Sequence, residues 1–224
     1  MIKAIIFDLD NTLIDFMGAK LTSCKASINA MIDAGLKINR KHALKILFEL
    51  YGQYGIEYNR IFQKFLLETT GRIDVKILSA AIVAYRKVQA SYHKPYDGVY
   101  RVLEGLRKRY KLAIVSDAPA LKAWLRLTEM GIQDYFDFVV TFSDTRKTKP
   151  HSLPFERAIK KLRLKPQEIL FVGDQPQRDI KGAKAVGMIT ALAEYGLQKK
   201  YEKYLRQNKP DYMLKSIEDI LKVV

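Results

Sequence analysis

The chain is poor in the residues that support disulfide or zinc-thiolate chemistry, with one cysteine and three histidines in 224 residues. Cys24 has no partner for an internal disulfide. This excludes the disulfide-stapled secreted scaffolds, agrees with a reducing cytoplasm, and leaves Cys24 as a small apolar helix residue. His42, His93 and His151 form no zinc-ligand cluster and read as solvated or structural side chains. No stretch resembles a membrane span. The first apolar run is too short for a signal-peptide core and lacks a cleavage site, which argues against export. Internal repeats and low-complexity segments are absent too, and with 48% apolar and 28% charged residues the disordered class drops out. Acidic residues are outnumbered, 24 against 39 basic ones, for a net charge of +15. The basic residues are scattered as Lys-x-x-Lys and Lys-Lys pairs, without a basic tail or a basic-aromatic ribonucleoprotein motif. They read as a solvated Lys-rich surface, with attraction of anionic substrates as the alternative, and argue against dedicated nucleic-acid binding.

What the chain does have is a strand-like run ending in two aspartates, Ala4-Ile5-Ile6-Phe7-Asp8-Leu9-Asp10, and a second apolar run ending Gly173-Asp174-Gln175-Pro176-Gln177-Arg178-Asp179. Acids placed where buried strands must turn gather carboxylates at the carboxyl end of a sheet, where open α/β folds bind ligands. Like charges in a partly dry site raise one another's pKa unless a cation offsets them. The arrangement therefore implies Mg²⁺ as much as acid chemistry.

Between the two runs the periodicity changes twice. From Asp15 to Tyr92 apolar residues recur three or four apart, predicting helices over Leu21–Ala34, Lys41–Tyr54, Tyr58–Leu67 and Val75–Ser91. Lys94-Pro95-Tyr96-Asp97-Gly98 breaks that pattern. Strands are then expected at Leu112–Ser116, Phe138–Thr141, Ile169–Gly173, Ile189–Leu192 and near Tyr212. The intervening helices are expected at Val99–Arg109, Leu121–Met130, Phe155–Leu162, Ile180–Val186, Lys199–Gln207 and Ile217–Val223. The expected architecture is α/β, a doubly wound parallel sheet built from residues 1–14 and 95–224, with a helical bundle, residues 15–94, inserted after the first strand.

Four segments, in order, resemble the haloacid dehalogenase-like hydrolase superfamily: Asp8-Leu9-Asp10-Asn11-Thr12-Leu13, the strand ending Ser116-Asp117, Lys149-Pro150, and Gly173-Asp174 with Asp179. The helical insert sits where that family carries its C1 cap. The resemblance implies a Rossmann-like core, Mg²⁺, and a phosphomonoester hydrolase working through an aspartyl-phosphate. It makes Asp8 the nucleophile and Asp10 the acid and base, whose carbonyl also meets the metal. Ser116, Asp117 and Lys149 would bind phosphate, Asp174 would complete the metal shell with Asp8, and Asp179 would hold a metal water or orient Lys149. The dehalogenases of the family have a non-acid at the Asp10 position, so Asp10 points to phosphate-ester cleavage.

Each segment has another reading when taken alone. Asp10-Asn11 is an ordinary strand exit, Ser116-Asp117 a helix cap, Lys149 a surface lysine with Arg146 and Lys147 as competitors, and Asp174 a cap for the helix near Pro176. Their coincidence at one sheet edge favours the site. Asp117 replaces the asparagine of many relatives and is expected to cap the next helix, while Ser152 is expected to cap the helix after Pro150. Asn11 stands where phosphomutase relatives often have glycine, which favours hydrolysis over a phosphomutase. Tyr51, Tyr54 and Tyr58 either line a substrate pocket or belong to the bundle. The expectation is a cytoplasmic phosphatase, monomer or homodimer, acting on a small phosphorylated metabolite; a binding module on a retired hydrolase fold has no need of so costly a cluster.

Overall fold

The computed structural model describes residues 1–92 and 94–224; His93 lies outside the described residues. Six parallel strands form one sheet: β1 (Ala4–Phe7), β2 (Lys111–Val115), β3 (Phe138–Val140), β4 (Ile169–Gly173), β5 (Ile189–Ala193) and β6 (Tyr212–Leu214), in the order β3-β2-β1-β4-β5-β6. Helices α1 (Phe16–Asp33), α2 (Arg40–Tyr54), α3 (Ile61–Thr70), α4 (Val75–Tyr92) and α5 (Val99–Arg107) lie between β1 and β2 in the chain. Next, α6 (Ala120–Glu129) joins β2 to β3, and α7 (Phe142–Thr145) and α8 (Ser152–Leu162) join β3 to β4. Finally α9 (Lys181–Ala185) joins β4 to β5, and α10 (Lys199–Glu202) precedes β6.

The doubly wound parallel sheet expected from the sequence is present, and its composition explains it. Every residue of β1 and β4 is buried, as continuous apolar runs require when helices cover both faces. Ile6, Val115, Val140 and Phe171 pack on one face against Phe155, Ala158 and Leu162, which recur at helical spacing on α8. No helix of the described residues is long and apolar enough to cross a membrane.

The chain divides into two compact units, Met1–Phe16 with Lys94–Val224, and Met17–His93. The second is helical and has its own core, where Cys24, Ile28 and Met31 meet Leu47, Phe65 and Ala81. Burial there pushes the Cys24 thiol up to about 11, which keeps it an inert apolar filler. Tyr51 belongs to this core, with the Lys20 ammonium 4.3 Å from its ring centroid, while Tyr54 stacks on Tyr58 at 5.1 Å.

Several expected boundaries move. The first helix starts at Phe16 rather than Leu21, because Phe16 and Ala19 are already buried while Leu21 is not. The helix expected over Lys199–Gln207 ends at Glu202 and continues as turns. The final segment, Ile217–Lys222, is a 3₁₀ helix, whose three-residue period buries Ile217 and Ile220 together.

The chain leaves β3 through a capping box in which the Asp144 carboxylate accepts from Thr141 N at 2.8 Å and Thr141 Oγ1 at 2.7 Å. Burial alone would raise the Asp144 pKa, but the Thr141 bonds outweigh it and hold the carboxyl below its usual range. A depressed folded-state pKa contributes stability above the unfolded value, which is lost as pH falls through the folded one. Asp144→Ala should therefore cost a few tenths to about 1 kcal/mol at neutral pH, less than a buried cap because solvent screens a carboxylate 34% exposed, with the gap to wild type closing in acid. Urea unfolding at neutral pH and at about pH 3 checks this; an unchanged gap would assign the effect to packing.

Candidate active site

Chain order leaves β1 at the centre of the sheet, with β2 and β3 laid down on one side and β4, β5 and β6 on the other. The winding reverses between β1 and β4, which opens a crevice at the carboxyl ends of the strands. In register, Phe7 stands beside Ile114 and Val172, so Asp8, Ser116 and Asp174 leave the sheet together at that edge. Asp8 is buried. Its N–H donates to the Val172 carbonyl at 2.8 Å, and its Oδ1 accepts from Leu9 N at 2.8 Å.

Lys149 follows α7 and precedes a cis peptide bond to Pro150. Its ammonium is wholly buried, 2.8 Å from Asp8 Oδ1 and 2.7 Å from Asp179 Oδ1, and it donates to the Val115 carbonyl at 3.0 Å. Arg146 and Lys147, its rivals in the sequence, are exposed. Asp179 sits in the π-helical segment Pro176–Ile180 that leads into α9, with Oδ2 accepting from Gln175 N at 2.9 Å. Ser116 is buried and its Oγ accepts from Ala118 N at 3.1 Å. The structure corrects two caps. Asp117 does not cap α6, which begins after Pro119 without a side-chain cap; its Oδ1 accepts from Lys149 N at 2.9 Å and ties the Lys149 backbone to the site. The cap of α8 is His151, whose Nδ1 accepts from Leu153 N at 3.1 Å, because the turn at Lys149-Pro150 brings the chain into the helix at Ser152, one residue earlier than a Ser152 cap requires.

Two arginines join the cluster that sequence reasoning did not single out. Arg178 donates to Asp8 Oδ2 at 2.6 Å and lies 3.4 Å from Asp117 Oδ2 and 3.5 Å from Asp174 Oδ1 and Asp179 Oδ1. The signal was present, a basic residue beside Asp179 inside the acidic motif. Arg126, from α6, donates to Asp10 Oδ2 at 2.8 Å. Four carboxylates, Asp8, Asp117, Asp174 and Asp179, thus surround two cations, Lys149 and Arg178. Burial raises the Asp8 pKa to about 6 against the pull of Lys149, with Asp179 adding to the rise. Burial and Asp179 push Asp174 well above the carboxylate range. Asp179 goes the other way: Arg178 and Lys149 outweigh its burial and lower it. Lys149 is raised, because Asp179 and Asp8 outweigh its desolvation.

The carboxylates fit a hard divalent cation. Asp8, Asp174 and Asp179 each offer an oxygen, all within 4.8 Å of one another. Asp174 Oδ2 is buried with no hydrogen-bond partner among the described residues. Leaving a buried carboxylate oxygen so costs free energy that an oxygen-ligated cation would offset. Two glycines permit this crowding. A Cβ on Gly173 would stand 2.6 Å from Asp179 Cβ, and one on Gly196 would collide with the Asn11 carbonyl and lie 3.3 Å from Asp174 Cβ.

Known proteins resemble the chain along nearly its whole length. The family model described as haloacid dehalogenase-like hydrolase matches residues 5–193. A glyceraldehyde 3-phosphate phosphatase of Methanocaldococcus jannaschii is 32% identical over 225 residues, covering 100% of this chain and 97% of that one. The pyrophosphatase PpaX of Halalkalibacterium halodurans is 30% identical, covering 100% and 97%. Among solved structures, a HAD phosphatase from Thermococcus onnurineus superimposes with a TM-score of 0.70 at 26% identity, covering 99% and 97%.

A carboxylate whose pKa is raised by folding destabilises the folded state at neutral pH. In chelator, Asp174→Asn should therefore be more stable than wild type, by on the order of 1–2 kcal/mol. Wild type should gain more than the variant when millimolar MgCl₂ is added. Chemical denaturation under both conditions tests this; a variant less stable in chelator would contradict the reading of Asp174 as a carboxylate that burial and Asp179 destabilise.

Proposed function

Because the chain belongs to the haloacid dehalogenase-like hydrolases and is similar along its whole length to phosphatases, we propose that it is a cytoplasmic, Mg²⁺-dependent phosphatase of small phosphomonoesters that works through a phosphorylated Asp8. The observation that carries this reading is the buried Asp8 carboxylate, aligned by Leu9 N and Lys149 beside Asp174 at the sheet's switch point.

The chemistry then follows from the residue types. A transferring phosphoryl group is metaphosphate-like and asks for positioning and charge stabilisation more than for a strong nucleophile. An Asp8 oxygen forms a bond to phosphorus as the ester P–O bond breaks, and Asp10 gives its proton to the departing alkoxide. Asp10 then takes a proton from water as the water oxygen bonds to phosphorus and the Asp8–P bond breaks. Phosphate leaves and the Asp8 carboxylate is restored. Lys149 offsets charge on Asp8 and on the phosphoryl oxygens, Ser116 and the Asp117 turn receive those oxygens, and Asp179 holds Lys149 in line. Asp8, Asp174 and the Asp10 carbonyl would hold Mg²⁺, with Asp179 within reach of a metal water. When bound, Mg²⁺ supplies neutralising charge at the phosphoryl oxygens.

Glyceraldehyde 3-phosphate is the first substrate to try, given the relatives' names, and pyrophosphate the second. Phosphate release from both, and from p-nitrophenyl phosphate, should be abolished by chelation and restored by Mg²⁺. Folded Asp8→Asn should lose turnover entirely, since an amide cannot form the acyl phosphate. Comparable phosphate release by that variant would rule the mechanism out.

A further inference from the structure

The helix α6 is built inside out at one position. Leu121, Trp124 and Leu125 are 71%, 44% and 47% exposed, while Arg126, a charged residue of the same two turns, is 3% exposed between the buried Ala123 and Leu127. An amphipathic helix that follows the ordinary pattern points its arginine at water and its leucines at the core. A guanidinium is rarely buried unless it is paired, and a local violation of patterning tends to mark a functional site. Here the inward charge meets Asp10: the Arg126 NH1 to Asp10 Oδ2 distance is 2.8 Å, with the Asp10 side chain 19% exposed. On its other side the guanidinium carbon lies 4.3 Å from the centroid of the buried Phe16 ring. A planar cation stacked on an aromatic face and bonded to a carboxylate restricts how that carboxylate can turn.

We propose that Arg126 is the positioning residue of the acid-base carboxylate, fixing the orientation of Asp10 from which its proton reaches the leaving oxygen and to which water gives one up. The inference rests on the proposed phosphatase reading, in which Asp10 has that role. Arg126 is thereby distinguished from Lys149 and Arg178, which meet the nucleophile and the carboxylates around it. A misplacement of a reacting group by about 1 Å can cost on the order of 10²-fold in rate. The loss should fall on the step that needs the proton and spare substrate binding.

The test is single-turnover phospho-enzyme formation by the full chain with Mg²⁺, on glyceraldehyde 3-phosphate, whose alkoxide needs protonation, and on p-nitrophenyl phosphate, whose phenolate needs it far less. Arg126→Met should slow phosphorylation by the alkyl ester about 10- to 100-fold at an unchanged half-saturating concentration, slow the aryl ester only a few-fold, and be partly rescued by Arg126→Lys. In an Asp10→Asn background Arg126→Met should add little, since two residues that act through one group are not additive. Equal losses on both esters, or a loss that multiplies with that of Asp10→Asn, would reduce Arg126 to a structural residue and overturn the inference. If Arg126→Met does not fold, Arg126→Lys carries the same comparison, because an ammonium lacks the planar fork. A wild-type enzyme inactive on both esters would instead overturn the phosphatase reading, and this inference with it.

Discussion

Lys149 sits wholly buried between Asp8 and Asp179, 2.8 Å and 2.7 Å away, and the rest of the active-site architecture can be traced to keeping it there. An ammonium out of water needs carboxylates, and carboxylates out of water need a cation; removing either partner would leave the other's charge uncompensated. Asp117 fixes the Lys149 backbone, the Val115 carbonyl takes a third donor, and Gln175 N holds the far oxygen of Asp179. These anchors come from the ends of β2 and β4 and from the turn after β4, so the sheet register sets the ion-pair geometry directly. Gly173 is the small residue that lets Asp179 fold back over the strand end to reach the lysine.

The clamp also divides the carboxylates into two kinds. Asp179, facing both Lys149 and Arg178, is held ionised, whereas Asp8 and Asp174 are pushed upward by burial and by Asp179. Charges that repel and are incompletely offset destabilise the folded chain. Their retention is intelligible if the site binds a cation and a phosphoryl group, each of which completes the electrostatic balance in turn.

How much of this was legible in the sequence depended on how far each residue obeys a local rule. The strands were readable because parallel strands buried on both faces are uninterrupted apolar runs, as in Ala4–Phe7 and Ile169–Gly173. Asp8, Asp10, Lys149 and Asp174 stood out as candidates because the segments that hold them resemble, in chain order, the motifs of the hydrolase superfamily. Arg126 was not, since it shares the buried side of α6 with Ala123 and Leu127 while Leu121, Trp124 and Leu125 are exposed, and an arginine reads by default as surface. Arg178 lay in plain view within the acidic motif, but a basic residue in a chain of net charge +15 reads by default as surface. The caps failed for a different reason. Asp117 and Ser152 are good capping types, yet Asp117 is drawn to the Lys149 backbone and Ser152 is already helical, which leaves the cap to His151. Helix ends are decided by such competition for donors, which composition does not record.

The position of β1 bears on how the chain must be made. It precedes the other five strands in the chain and lies at the centre of the sheet, where Ala4 pairs with Lys111 on one side and Ile169 on the other. The helical unit Met17–His93, which is built on contacts among its own helices, follows at once. A nascent chain therefore carries Ala-Ile-Ile-Phe with both hydrogen-bonding edges open until β2 and β4 have emerged, while the helices behind it can already close on one another. Asp8, which follows that strand directly, is consequently among the last residues to be set in place, and slow synthesis exposes a strand edge prone to pairing with other chains.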